Sequence, residues 1–251
     1  MQLFYCKDIS TSGFCTLDAE ESRHAVRVLR LREGDEMNVT DGRGNLYRCR
    51  IVQADSTNCV VESISALSSL HSPLPTLHLA VAPTKNPARM EWLVEKAVEI
   101  GVGEITLLQC DHSERTFLKT DRLQKLAVSA MKQSLHTTLP AINPAVTLRD
   151  WLHSPPPTLH SPLKFIAHCE AGKPRTPLAA ALVPGQDAVV LIGPEGDFSA
   201  DEIDLALRCG FLAVSLGPSR LRTETAAIYA AAAFNLINDQ PQPHPSRRAE
   251  S

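Results

Sequence analysis

At 251 residues the chain has length for one large domain or two modest ones, each with a core, and two are expected. Its 43% hydrophobic and 21% charged content excludes disorder over most of the length, and a formal net charge of -3 excludes wholesale electrostatic capture of nucleic acid while leaving local patches open. Residues 1–10 carry neither a basic nor an apolar leader region and no apolar run reaches membrane length, so the expectation is a cytoplasmic protein with no membrane segment.

Seven cysteines, at positions 6, 15, 49, 59, 110, 169 and 209, include no C-x-x-C pair and no Cys/His cluster. They are read as reduced, mostly buried apolar groups, and no metal site is expected.

Residues 1–72 hold short β-type runs at 3–5, 37–39, 46–51 and 59–61, with a hairpin turn at Asp41-Gly42-Arg43-Gly44, and predict a small barrel or sandwich. Arg48 and Arg50 alternate with apolar neighbours, so one strand face is buried and the other basic. Between positions 23 and 50 seven arginines (23, 27, 30, 32, 43, 48 and 50) face four acids (33, 35, 36 and 41). Arginine's planar fork suits phosphate and base edges, so Arg23, Arg27, Arg30 and Arg48, with His24 beside them, are candidate RNA contacts. With acids interleaved, the same row also reads as an ion-paired solvated face.

Five serines and two prolines over 63–75 read as a linker. A strand at 77–82 then leads to Asn86 as N-cap, Pro87 at the first helical position and Gly101 as stop. In that helix Met90, Leu93, Val94, Ala97 and Val98 keep the 3.6-residue period. A strand at 105–108 and a helix at 121–135 follow. The polar loop 110–115 between them offers Ser113, Glu114 and Arg115 as substrate contacts, Arg115 toward RNA. Residues 151–162, with four prolines, read as loop, and 164–167 as a strand ending at His168-Cys169-Glu170.

Two strand-loop-helix units close the domain assigned to residues 73–240. The strand 188–192 runs into Gly193-Pro194-Glu195-Gly196, after which Ser199 and Glu202 form a capping box. The strand 212–216 runs into LGPSRLRTETAA (216–227) and an alanine-rich helix, 226–237. Strand-helix alternation implies α/β architecture with a mostly parallel sheet, whose ligands sit at the carboxyl ends of strands. Neither loop has phosphate-loop spacing, and Glu195 disfavours an anion, so backbone recognition of a flat neutral base fits better. Residues 241–251 are polar and proline-rich and are expected to be disordered.

The runs LIGPEGDFS (191–199) and LGPSRLRTETA (216–226), with HAVRVLRLREGD (24–35), EWLVEKAVEIGVGEI (91–105) and KQSLH (132–136), resemble the RsmE group of SPOUT methyltransferases, which methylate N3 of a uridine in 16S ribosomal RNA. The resemblance implies a PUA-like β-barrel for RNA, a C-terminal α/β domain with a deep trefoil knot, a homodimer through that domain, and the small ribosomal subunit as partner. It places S-adenosylmethionine among His168, Ile192, Gly193, Pro194, Glu195, Gly196, Leu216, Gly217, Ser219, Leu221, Arg222 and Thr223. Two departures stand out: Asp197 where the family usually has a second glycine, and Lys132–His136 where it has an arginine-ended motif. Uridine N3 must lose a proton to attack, so Arg222 is assigned as the cation favouring the uracil anion. Glu224 is open between orienting Arg222, taking the proton and being an ordinary first-turn helix acid. Ribose 2′-O methylation and a non-catalytic RNA-binding role are the alternatives.

Overall fold

The computed structural model describes residues 2–11, 13–68, 74–114, 119–154, 162–170 and 172–239. The expected disorder of residues 241–251 falls outside them.

The first sheet contains β1 (Leu3–Tyr5), β2 (Phe14–Thr16), β3 (Glu36–Thr40), β4 (Leu46–Gln53) and β5 (Val60–Ser68), in the order β1-β3-β4-β5-β2. All its pairings are antiparallel except β1 with β3. Phe4, Met37, Val39, Tyr47, Cys49, Ile51 and Val61 fill its core, while Arg48 and Arg50 face solvent, as period-two alternation requires. Between β2 and β3 lies a short helix α1 (Ala19–Arg23), whose first N–H groups are capped by Asp18, continuing as a π-helical turn over His24–Val28.

The second sheet is parallel throughout, in the order β10-β12-β9-β11-β6-β7-β8. Its strands are β6 (Leu77–Val81), β7 (Glu104–Gln109), β8 (Ala141–Thr147), β9 (Leu163–Ala167), β10 (Thr176–Pro177), β11 (Ala188–Ile192) and β12 (Leu212–Ser215). Every residue of β6 and β11 is buried, the mark of central strands covered on both sides. Helices α2 (Pro87–Ile100), α3 (Thr120–Gln133), α5 (Leu178–Ala181) and α7 (Thr223–Asn238) pack one face, while α4 (Leu148–His153) and α6 (Ala200–Arg208) pack the other. Buried Ala226, Ala227, Ala230 and Ala231 let α7 lie close against α2 and the sheet.

Four expectations need correction. The serine-rich stretch expected as a linker is strand as far as Ser68, because a ladder is built by backbone groups and tolerates exposed serines on its open face. Residues 69–73 lie outside the described chain. Trp151 and Leu152, expected in a loop, are buried in α4, whose Leu148, Trp151 and Leu152 repeat at helical spacing behind a Thr147 cap. The helix expected over 121–135 ends at Gln133, and Leu135 takes the left-handed conformation. Cys6 and Cys15 are joined as a disulfide, so the cysteines are not uniformly free.

The two sheets are tied together at the KQSLH segment. Lys132 Nζ forms an ion pair with Glu21 of α1, which is 3% exposed and also accepts from the Tyr5 backbone N–H. Gly44 N–H and Thr40 Oγ1 both donate to the Thr137 carbonyl at 2.9 Å, and Leu139 N–H donates to Gly42 at 2.8 Å. His136 Nε2 lies 3.1 Å from the Glu99 carbonyl at the end of α2. This motif is therefore a joint between structural elements.

Candidate active site

Three adjacent strands, β12, β9 and β11, end on the same side of the sheet, and their exits enclose a cavity of about 280 Å³. Its apolar wall is Ala167, Ile192, Val214, Leu216, Leu221 and Ala226, and its charged groups are Arg175, Glu195, Asp197, Arg220 and Arg222.

Of the residues assigned to the cofactor, His168, Ile192, Gly193, Pro194, Glu195, Leu216, Gly217, Ser219, Leu221, Arg222 and Thr223 line this space. Gly196 faces away, and a Cβ there would stand 3.0 Å from the His112 Cβ. Gly217 has φ +106, a conformation that side chains resist, which lets the chain turn sharply out of β12. Thr223 Oγ1 donates to the Gly193 carbonyl at 3.0 Å and so joins the two loops.

Sequence reading missed Asp197 as a structural part of the site. It holds φ +65, its carboxylate accepts from Cys169 N–H at 2.7 Å and Phe198 N–H at 2.9 Å, and its carbonyl lies 3.1 Å from His112 Nδ1. One residue thus connects the exits of β7, β9 and β11. Arg175 was also missed, although EAGKPR after β9 carried the signal of a basic loop; its Nη1 donates to the His168 carbonyl at 2.6 Å.

His168 is buried, and burial pushes its imidazole below the usual histidine range, with Arg175 and Lys173 reinforcing the shift against Asp197 and Glu170. The ring is held neutral near pH 7. Cys110 is buried too, which pushes its thiol up and keeps it protonated, so it makes a poor nucleophile.

Arg222 borders the cavity as the N-cap of α7. Glu224 is set back from it, 8% exposed, and its nearest cation is Arg89 of α2, with Nε 3.6 Å from Oε1, rather than Arg222. At the mouth, Lys85 pairs with Glu114, and Lys85 N–H donates to Glu195 Oε1.

On the first sheet Arg23, Arg27 and Arg30 are exposed around the π-helical turn. Arg48 and Arg50, by contrast, both approach Glu36, at 2.5 and 3.9 Å, which neutralises part of that face. His24 packs its ring on Phe4 and its Nε2 lies 3.0 Å from Gln2 Nε2. Arg115 lies outside the described residues. Among the described residues no group of metal-ligating side chains is assembled, and no helix is long and apolar enough to cross a membrane.

Comparison with known proteins agrees with this architecture. Residues 71–235 match the RNA methyltransferase domain family and residues 17–62 the RNA methyltransferase PUA domain family. Ribosomal RNA small subunit methyltransferase E of Synechocystis is 32% identical, over 88% of this chain and 73% of that protein. The structure of a probable rRNA-methyltransferase from Porphyromonas gingivalis superposes with a TM-score of 0.85 at 40% identity, covering 95% of this chain and 98% of that one. A ribosomal RNA small subunit methyltransferase E from Neisseria gonorrhoeae, bound to S-adenosyl methionine, superposes with a TM-score of 0.76 at 28% identity, over 95% and 98% of the two chains.

Proposed function

This chain belongs to the family of RNA methyltransferases that includes ribosomal RNA small subunit methyltransferase E, and from that premise we propose that it methylates N3 of one uridine in 16S ribosomal RNA, using S-adenosylmethionine. The observation that carries the reading is the Thr223–Gly193 hydrogen bond, which draws two glycine loops together around one cavity at the carboxyl ends of adjacent parallel strands.

The cavity suits the methyl donor. It offers an apolar wall for a flat base, arginines for a carboxylate and, in His168 Nε2, a buried polar atom with no partner among the described residues. Residues 192–195, 216–217, 219 and 221–223, with His168, would hold it. When bound, S-adenosylmethionine supplies an electrophilic methyl group on a sulfonium.

The chain's remaining work is positioning and proton management. A uridine turned out of its stack would enter beside Arg222, whose guanidinium favours the N3 anion. Transfer would join N3 to the methyl carbon in place of its bond to sulfur, leaving a neutral thioether, after the N3 proton had passed to solvent water. Glu224, set back and facing Arg89, is read as fixing the cations at the mouth rather than taking that proton.

Arg23, Arg27 and Arg30 are read as the RNA contacts of a PUA-like domain spanning residues 1–72, with catalysis assigned to 73–240. Exposed Tyr229 and Leu236 support a homodimer packed across α7, and the resemblance adds the trefoil knot. Ribosomal RNA as substrate favours a cytoplasmic location.

The test is labelled methyl transfer to small ribosomal subunits lacking the modification, followed by mass spectrometry of the nucleosides. 3-Methyluridine is the expected product. A 2′-O-methylated nucleoside would instead make this a ribose methyltransferase, and absence of transfer a binding protein.

A further inference from the structure

His168 closes the β9 side of the cavity with an imidazole that is 3% exposed. Its Nδ1 lies 3.2 Å from the backbone N of Glu170. A backbone N–H only donates, so Nδ1 accepts, and in the neutral ring the proton rests on Nε2. That Nε2–H has no partner among the described residues. A buried donor without an acceptor is costly, and the residue that carries it is one of those lining the cavity.

The kind of acceptor follows from the neighbours. Arg175 and Arg220, which also line the cavity, suit the anionic end of an amino-acid ligand. A neutral ring N–H beside Ala167 and Ile192 complements an uncharged oxygen or ring nitrogen instead.

We propose that His168, fixed as its Nε2–H tautomer by the Glu170 backbone, donates a hydrogen bond to an uncharged acceptor on the adenosyl portion of the methyl donor. The proposal rests on the cavity being the S-adenosylmethionine site. Burial keeps the ring neutral, and four charged groups face it: Asp197 and Glu170 favour protonation, Arg175 and Lys173 oppose it. Protonation would turn a second N–H toward the Glu170 N–H and break the arrangement.

Calorimetry on the full chain tests this with two probes, S-adenosylhomocysteine and 5′-methylthioadenosine, the latter lacking the amino-acid end. His168→Phe is expected to weaken both at least tenfold, and His168→Gln, which keeps an N–H donor, to recover most of the loss. Wild-type affinity for 5′-methylthioadenosine should also fall on acidification, and the Gln variant should lose that dependence. Affinities within twofold of wild type in the Phe variant, or a loss confined to S-adenosylhomocysteine, overturn the role of His168 while leaving the site in place. If wild type binds neither probe, the site itself is wrong and the role goes with it.

Discussion

The hydroxyl of Thr223 donates to the carbonyl of Gly193 at 3.0 Å, linking residues 30 apart in sequence at the lip of one cavity. Thr223 is also the first residue of α7, so the bond fixes where that helix starts relative to the end of β11. Thr223→Val keeps the shape, removes the donor and leaves a buried carbonyl unsatisfied, a cost of roughly 1–3 kcal/mol. S-adenosylmethionine affinity is expected to drop by about tenfold, with Thr223→Ser near wild type. Calorimetry of both variants decides, and equal affinities would show that the loops hold their places without this bond.

Arg222 borders the cavity and has no carboxylate partner among the described residues. Arg222→Ala is expected to abolish methyl transfer while leaving cofactor affinity within about tenfold, or ~1.4 kcal/mol. Single-turnover rates alongside binding separate the two effects. Full retained activity removes this residue from the chemistry.

The two groups of basic residues on the first sheet are expected to behave differently. Replacing Arg23, Arg27 and Arg30 with alanine should weaken RNA binding and lower the slope of log affinity against log salt by about 2, since each phosphate contact contributes roughly 0.7–0.9. Replacing Arg48 should do less, because Glu36 already balances it. A larger effect from Arg48 in salt titrations would reverse this assignment.

Glu21 makes stability depend on pH. Burial raises its carboxyl above the usual glutamate range, while Lys132 and the Tyr5 N–H pull the other way. A raised carboxylate pKa means the folded state binds the proton more tightly than the unfolded one, so this group's contribution is most favourable at low pH and is lost as pH rises from about 4.5 through the raised value. Lys132→Met strands the charge and should destabilise the fold by about 3–5 kcal/mol at neutral pH, less in acid. Denaturant titrations at several pH values check this, with Glu21→Gln/Lys132→Met expected to recover stability. A Lys132→Met deficit that does not vary with pH would contradict it.

Local chemistry was the legible part of the sequence. The α2 helix could be read from the Asn86 cap, Pro87, the buried Met90-Leu93-Val94-Ala97-Val98 stripe and Gly101, because each acts within a few residues of itself. The Ser199–Glu202 capping box was visible for the same reason. β8 was not, since Pro144 argues against a strand until the strand proves to lie at the sheet edge, where a missing N–H costs no ladder bond. Contacts between distant segments, Glu224 with Arg89 and Lys132 with Glu21, leave no periodic trace. Asp197 looked like an added charge beside the site, and only the fold reveals that both its oxygens are engaged by backbone N–H groups.

The position of β11 between β6 and β9 bears on how the protein is made. The Thr76 N–H beside β6 donates to Asp187 beside β11, across 111 residues. During translation β6, β7 and β8 emerge early and can pair, yet the flank of β6 that β11 will cover stays bare until the ribosome has passed residue 192. A nascent chain with an uncovered, largely apolar strand edge is open to mispairing, and its non-local closure is intrinsically slow. Yield in cells is therefore expected to depend on chaperone supply and growth temperature more steeply than the stability of the finished fold would suggest.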